Sequence, residues 1–320
     1  MLSGIGHHAA SLYVNQITRN GPSGLDPDSV AFLTPLSVLE SVRGVGFTLV
    51  DASTYADPGP LTTLDGTVAA AVAALPRDIA VLCRVAQGLV TDAADPTGAS
   101  LPPDRLEQRN TRSAQRLLEL VLAADPSPLD APRTAEQRVV GTCRTFTVLA
   151  TALLRAHGVP ARARCGFASY FVTDRWVDHW IVEHGSGGDR LWIRVDAEVL
   201  DLDVIDDAED LGPDRFWTGG EAWQAVRSGR ADPMAFGVAG TDNWGPGEIR
   251  GNALRDLAAL HRIEVLPWDE WGPMAASYAG TTDEVFDAEI DDLAAATATE
   301  DDRLLADAWT RFAVPAHLER

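Results

Sequence analysis

The chain has 320 residues, of which 26 are basic and 47 are acidic, so its formal net charge is −21 at pH 7. So acidic a surface argues against nucleic acid and anionic membranes as partners, because both carry negative charge themselves. The hydrophobic content of 46% is typical of a globular protein, and the length allows one large domain or two small ones.

The three cysteines are Cys83, Cys143 and Cys165. They are odd in number and widely spaced, so they predict neither a disulfide framework nor a zinc site. We therefore expect no metal and no cofactor. The N-terminus lacks the basic start and apolar core of a signal peptide, and no apolar run approaches the length of a membrane helix. A cytoplasmic location is the default expectation.

The first 75 residues are expected to form an extension that packs on the core, with a strand at 47–50. Helices are then predicted at 67–75, 79–94 and 108–124, and loops at 95–103 and 125–132. Cys83 falls on the apolar side of the second helix, so we expect its thiol to lie in the core.

The clearest helix signal lies between Gly141 and Pro160. Apolar residues recur there at helical spacing, namely Phe146, Leu149, Ala150, Leu153 and Leu154. Thr142 can cap the start of this helix, which places Cys143 in its first turn. Free backbone N–H groups and the positive end of the helix dipole favour a thiolate there, so we expect a lowered pKa for Cys143.

Strand-like runs follow this helix. In the run 161–167, apolar residues alternate with Arg162 and Arg164, whose side chains we expect to be solvated rather than bound to a substrate. The runs 178–184 and 190–199 flank a glycine-rich loop, which predicts a β-hairpin.

The register of this hairpin decides which polar side chains meet. A turn between Gly187 and Gly188 would place His179 directly opposite Asp196, with their Cβ atoms about 5 Å apart. His184 would then lie beside the turn, far from Asp196. The predicted pairing therefore selects one of the two histidines as the partner of the aspartate.

A cysteine at a helix start, followed by a histidine and an aspartate on adjacent strands, is the pattern of a Cys-His-Asp triad. Here the chain resembles the transglutaminase-like superfamily of papain-related cysteine enzymes. The matching motifs are GTCRTF around Cys143, LLRAHGVPARARCGF after it, DHW around His179, and WIRVD ending at Asp196. Many relatives place one residue between the histidine and the tryptophan, whereas Trp180 follows His179 directly here.

The resemblance implies that Cys143 is the nucleophile, His179 the general base and acid, and Asp196 the carboxylate that orients the histidine. It also suggests Gln137 as a donor to the oxyanion, although a surface polar residue is an alternative interpretation and the backbone N–H of Cys143 is a safer donor. Four aromatic residues are candidates for substrate contact, namely Tyr170, Trp180, Trp217 and Trp244.

The chain after Asp196 begins with an acidic stretch, 196–212. A solvated loop is the favoured interpretation, and calcium binding at Asp201 and Asp203 is the alternative. A tryptophan-rich region and a short helix at 252–260 follow, and 281–310 is predicted to be helical. Asp256, Glu264 and Asp269 could reach the site or pair with arginines at the surface. The segments 251–260 and 265–272 are similar to those of bacterial transglutaminase-like proteins.

The predicted fold is therefore α+β, a papain-like core whose central helix carries Cys143 and packs on an antiparallel sheet, with extra helices at both ends. We expect an N-terminal extension at 1–75, a catalytic core at 76–210, and an aromatic-rich cap with a helical tail at 211–320.

The predicted function is acyl transfer through a thioester on Cys143, from a small, peptide or carrier-bound substrate to an amine. A protease or amidase with the same triad is one alternative, and a non-catalytic binding module or an assembly protein is another. All 26 basic residues are arginines. A GC-rich bacterial genome explains the absence of lysine, and an enzyme that transfers acyl groups to amines would also benefit from it. The oligomeric state is not predicted.

Overall fold

A computed structural model describes residues 52–185 and 191–319. The predicted strand at 47–50 and the turn between Gly187 and Gly188 lie outside the described residues. No helix in the described ranges has the length and apolar run needed to cross a bilayer.

The described chain contains eleven α-helices and seven strands. The helices are α1 (Gly66–Ala73), α2 (Ile79–Gly88), α3 (Pro96–Ala99), α4 (Pro103–Leu106), α5 (Ala114–Ala124), α6 (Cys143–Ala156), α7 (Gly219–Arg227), α8 (Pro246–Leu260), α9 (Met274–Tyr278), α10 (Glu284–Thr299) and α11 (Asp302–Phe312). The strands are β1 (Val90–Asp92), β2 (Val139–Gly141), β3 (Ala161–Ala168), β4 (Trp176–Gly185), β5 (Trp192–Val195), β6 (Phe216–Thr218) and β7 (Phe236–Gly237).

The main sheet has the order β5-β4-β3-β6, with each of these neighbours antiparallel, and the short strand β7 runs parallel to the start of β4. One hydrophobic core forms where α1, α2, α5 and α6 pack together and against Val182 and Val195 of the sheet. A second core joins β3 and β4 to α7, α8, α10 and α11. The predicted α+β fold, with an antiparallel sheet and helices at both ends, is confirmed, whereas the domain boundaries stay a prediction.

The hairpin register differs from the predicted one by two residues. Val182 pairs with Val195 and His184 with Ile193. Continued by one residue, this register sets Asp196 opposite Ile181, whereas the predicted register set it opposite His179. Side chains alternate between the two sides of a strand, so a shift of two residues changes the pairing and keeps each residue on its predicted side. His179 and Asp196 therefore remain on one side of the hairpin, as diagonal rather than direct neighbours.

The predicted helix at 79–94 ends early. Helix α2 stops at Gly88, and β1 follows directly, pairing in parallel with β2 from Val90 opposite Val139 to Asp92 opposite Gly141. The apolar spacing of this segment suits a helix, but tertiary pairing with a strand about fifty residues away overrides it.

The arginines of β3 are buried, contrary to the prediction that they are solvated. Arg162 and Arg164 are 1% and 3% exposed. Both donate to the Glu183 carboxylate on β4, at 2.7 and 3.0 Å, and Arg194 of β5 donates to its other oxygen at 3.0 Å. Arg164 also forms a bidentate pair with Asp256 of α8 at 2.9 and 2.8 Å. This side of the sheet is therefore an ion-pair network under a cover of helices.

The carboxylates that the sequence placed near the site or at the surface are all buried in ion pairs with arginines. Asp256 pairs with Arg164, Glu264 with Arg155 and Asp269 with Arg112. The predicted alternative of surface pairing with Arg255 or Arg262 is wrong for all three. Their role is to connect elements that are distant in sequence.

The first testable prediction concerns Glu183. Burial raises the pKa of this carboxyl, but Arg162, Arg164 and Arg194 outweigh burial and hold the pKa well below its ordinary value. Replacing Glu183 with Gln removes the one carboxylate that Arg162, Arg164 and Arg194 share, so we expect the free energy of unfolding to fall by about 3–5 kcal/mol. Chemical denaturation at pH 7 measures this loss.

The exposed Glu119, which pairs with Arg116 one helical turn away, provides the matched control. Glu119→Gln should leave the unfolding midpoint nearly unchanged. Because a lowered pKa stabilises the fold above the unfolded-state value of about 4.3, the wild-type protein should lose this stabilisation as the pH falls further, and Glu183→Gln should not. Equal stability of Glu183→Gln and wild type at pH 7 would contradict the network's role.

Candidate active site

The candidate nucleophile lies at the start of α6, as predicted. Thr142 is the N-cap residue, and its backbone N–H donates to the Thr145 hydroxyl at 3.2 Å. Gly141 approaches the same turn so closely that a Cβ atom there would lie 2.5 Å from the Thr145 side chain. The capping contacts and the missing side chain at Gly141 fix the position of the half-buried Cys143, the first residue of α6, two residues after β2 ends.

A histidine and an aspartate meet beside this cysteine. The Nε2 atom of His179 on β4 lies 2.8 Å from Oδ2 of Asp196, which directly follows β5. His179 is 2% exposed and Asp196 is fully buried. Diagonal neighbours on antiparallel strands are about 7–8 Å apart, a gap that these two side chains bridge between them. The structure thus brings together the histidine and the aspartate that the sequence selected.

The Asp196 carboxylate accepts three hydrogen bonds. Besides His179, its donors are the Tyr170 hydroxyl and the backbone N–H of Glu198 at 2.9 Å. Burial raises the pKa of this carboxyl, but His179 and the other donors outweigh burial and hold the pKa below its ordinary value. Asp196 therefore stays ionised and engages Nε2 of His179, which leaves Nδ1 as the ring nitrogen available to the thiol.

Two aromatic residues after β3 enclose the imidazole. The ring of Phe171 lies edge-on to His179 with centroids 4.9 Å apart, and Tyr170 does so at 6.2 Å. Tyr170 was predicted to contact substrate. Its hydroxyl donates to Asp196, so the side chain helps to hold the histidine–aspartate pair, and substrate contact by Tyr170 stays a prediction.

The thiol, the imidazole and a second carboxylate converge. The Sγ atom of Cys143, a ring nitrogen of His179 and a carboxylate oxygen of Glu198 all lie within 4.8 Å of one another. Sequence reasoning missed Glu198, because it assigned the stretch 196–212 to a solvated loop. A signal was available, since Glu198 lies two residues after the predicted triad aspartate and shares its side of the chain.

The environment of the thiol contradicts the predicted low pKa. Burial, followed by the charges of Glu198, Asp178 and Asp92, raises the pKa of Cys143 well above its ordinary value, and a hydrogen bond from the backbone N–H of Trp180 only partly opposes this. Desolvation and nearby carboxylates therefore outweigh the lowering of the Cys143 pKa that the helix start was expected to cause. In the resting site the thiol is neutral.

The surroundings of Glu198 favour its protonated form. Burial raises the pKa of its carboxyl well above the ordinary value, and the charge of Asp92, a hydrogen bond with Asp92 and the charge of Asp196 raise it further. Asp92 ends strand β1, the strand that the sequence had assigned to a helix.

The remaining predicted site residues lie elsewhere or in other roles. Trp180 is fully buried in the core, so its indole cannot face a substrate. The amide oxygen of Gln137 accepts the backbone N–H of Thr134 at 2.9 Å, which engages this side chain in a local cap. Its role as an oxyanion donor stays a prediction.

Trp217 and Trp244 line two surface cavities of about 440 and 410 Å³. Trp217 stacks on Trp176 with centroids 4.2 Å apart in the first cavity. Trp244 lines the second cavity, with Arg175 over its ring at 4.9 Å. The described residues that line the two cavities do not include Cys143, so substrate contact by these tryptophans stays a prediction.

One comparison with known protein families agrees with this geometry. Residues 107–197 match the model of the transglutaminase-like superfamily. It spans Cys143, His179 and Asp196. A solved structure of a candidate cysteine protease from Cytophaga hutchinsonii is similar at 19% identity, covering 50% of this chain and 45% of that one, with a TM-score of 0.31. A score this low does not establish a shared fold. No curated protein matches the chain.

The second testable prediction concerns the accessibility of the thiols. Cys143 is half-buried, whereas Cys83 and Cys165 are 1% and 0% exposed. We expect iodoacetamide to label Cys143 first in the folded protein, and we expect the rate to rise as the pH increases above neutrality, because the raised pKa keeps the thiol protonated below it. Peptide mapping by mass spectrometry measures the three rates.

Protein unfolded in denaturant serves as the control, in which all three cysteines should label at similar rates. Equal labelling in the folded state would remove Cys143 as the candidate nucleophile. A Cys143 rate that is already maximal at pH 6 would show instead that the thiolate is preformed.

Proposed function

We propose that the chain is a cysteine-dependent acyltransferase that takes an acyl group from a small, peptide or carrier-bound substrate and passes it to an amine. The observation that carries this proposal is the convergence of Cys143 Sγ with an imidazole whose far nitrogen is held 2.8 Å from a buried, ionised carboxylate. This is the arrangement in which a base activates a nucleophile while a third group orients the base.

Attack on the substrate begins from a neutral thiol. As Sγ of Cys143 approaches the carbonyl carbon, its proton passes to Nδ1 of His179, and the Asp196 carboxylate stabilises the imidazolium that forms. The sulfur–carbon bond of a thioester then forms, and the leaving group departs with the proton from the imidazolium. The raised pKa of the thiol makes this proton transfer part of the reaction rather than a preceding equilibrium.

The developing oxyanion needs hydrogen-bond donors. The backbone N–H of Cys143 lies in the first turn of α6, where helical geometry leaves N–H groups without a carbonyl partner in the helix. Such a group points towards the charge that develops beside the nucleophile. Gln137 is a candidate for the second donor if its amide nitrogen turns towards the thiol.

Two features support transfer to an amine over simple hydrolysis. The chain has no lysine, so no side-chain amine of its own competes for the acyl group. Aromatic side chains enclose the histidine, with Phe171 and Tyr170 against the ring. Exclusion of water by such walls protects a thioester from hydrolysis. Hydrolysis then proceeds as a slower side reaction.

The third testable prediction separates the two histidines. His179→Ala should abolish acyl-enzyme formation, because it removes the imidazole that accepts the thiol proton and that Asp196 orients. His184→Ala is the matched control, since this histidine is also buried but lies five residues further along β4, where its ring contacts the Gly185 carbonyl at 3.1 Å. Intact-protein mass spectrometry after incubation with an activated acyl ester measures the acyl-enzyme.

In the same assay, Asp196→Asn should leave the fold intact and lower the rate of acylation by about three to four orders of magnitude, because the imidazole loses its orienting charge. Circular dichroism checks the fold of each variant. A His184→Ala variant that is more damaging than His179→Ala would overturn the assignment of the base.

The fourth testable prediction concerns the acyl acceptor. Acyl-enzyme trapped on Cys143 is supplied with a panel of primary amines at fixed pH, and amide and free acid are quantified. We expect the amide to exceed the acid for at least one amine at millimolar concentration. Cys143→Ser, which forms no thioester, gives the background. If no amine competes with water at any concentration, the protein is a hydrolase.

A further inference from the structure

The candidate active site also has the donor set of a transition-metal site. A thiol, an imidazole and a carboxylate are supplied by Cys143, His179 and Glu198, with donor atoms within 4.8 Å of one another. A tetrahedral zinc ion with bonds of about 2.0–2.3 Å needs donors about 3.3–3.8 Å apart. Side-chain shifts of about 1 Å would close the difference.

The surroundings of these side chains fit such an ion. Asp196 bonds Nε2 of His179 and leaves Nδ1 free, which is how carboxylates orient metal-binding histidines. The Oε2 atom of Glu198 is buried, and no N–H or hydroxyl group of the described residues donates to it; the polar neighbour of this carboxyl is a second carboxyl, Asp92. Two facing carboxyl groups without an N–H or hydroxyl donor are surroundings that a cation would satisfy.

The charge balance of the site points the same way. The Glu198 carboxylate lies beside the thiol and the imidazole, and a second carboxylate, Asp196, bonds the same imidazole. A divalent cation bound between these side chains would be offset by their negative charge.

We propose that Cys143, His179 and Glu198 bind one zinc ion, with a fourth position open to water, and that the bound ion reversibly inhibits the enzyme. The mixed sulfur, nitrogen and oxygen set suits zinc, whereas calcium and magnesium prefer oxygen ligands alone. Binding releases the thiol proton and occupies both Sγ and the ring nitrogen that would accept a proton during catalysis. The inhibition rests on the proposed function, whereas the metal site does not.

Zinc binding is tested on full-length protein that has been treated with EDTA and dialysed. Competition with a chromogenic zinc chelator gives the stoichiometry and the dissociation constant. We expect one ion per chain and a dissociation constant at least tenfold weaker in each of the variants Cys143→Ser, His179→Ala and Glu198→Gln. The matched controls are Cys165→Ser and His184→Ala, which should bind as wild type does.

A second measurement identifies the thiolate ligand directly by spectroscopy, so that lost binding is not confused with lost folding. Cobalt(II) added to the wild-type protein should give the charge-transfer and ligand-field absorption bands of a tetrahedral thiolate complex, and Cys143→Ser should lack the charge-transfer band. Melting curves of the EDTA-treated variants check that each is folded. Wild-type affinity in Glu198→Gln, or several weakly bound ions per chain, would overturn the three-ligand site.

The inhibitory role is tested through the thiol itself. One equivalent of zinc should slow the labelling of Cys143 by iodoacetamide at least tenfold, and EDTA should restore the rate. This readout needs no acyl substrate, so it remains valid if the proposed acyl transfer fails. In the acyl-enzyme assay, EDTA-treated protein should be at least as active as untreated protein. Loss of activity on chelation, restored by zinc, would overturn inhibition.

Discussion

The site depends on one buried charge, the carboxylate of Asp196. A buried carboxylate is tolerated only where donors surround it, and here they come from three parts of the chain. They are His179 of β4, Tyr170 after β3 and the backbone N–H of Glu198 just beyond β5. The same bonds that make the charge tolerable engage Nε2 of the imidazole and leave Nδ1 as the other ring nitrogen, in a ring that lies beside Cys143. The same hydrogen bonds thus stabilise the buried Asp196 carboxylate and orient the His179 ring for catalysis.

One side of the sheet carries arginines and a glutamate that are buried. The helices that follow the sheet cover this side and supply carboxylates to it. Arg162, Arg164 and Arg194 converge on Glu183. The helical part of the chain supplies each of them with a second carboxylate: Glu300 after α10, Asp256 of α8 and Glu221 of α7, respectively. Buried charges of this kind are tolerated only where each one is paired and hydrogen-bonded. The second half of the chain therefore covers the strands that hold His179, although the superfamily match ends at residue 197.

The carboxyl groups near Cys143 influence the protonation state of its thiol. With Asp92, Asp178 and Glu198 near a desolvated thiol, a free thiolate would be costly, and the proton is held until a base removes it. The same negative surroundings that keep the thiol neutral favour a cation at its position. Acyl transfer and metal binding would therefore compete for one set of atoms.

The sequence by itself determined the central helix, the strands after it and the identity of the candidate triad, because apolar periodicity, capping residues and strand alternation are local signals. It also kept His179 and Asp196 on one side of the hairpin, since an error of two residues in register preserves side-chain direction. Only the tertiary structure decided the environment of these residues. Glu198 and Asp92 meet beside Cys143 because β1 pairs with β2, a contact about fifty residues apart that no local pattern encodes. Burial, which sets the charge state of the thiol, is likewise a property of the assembled chain.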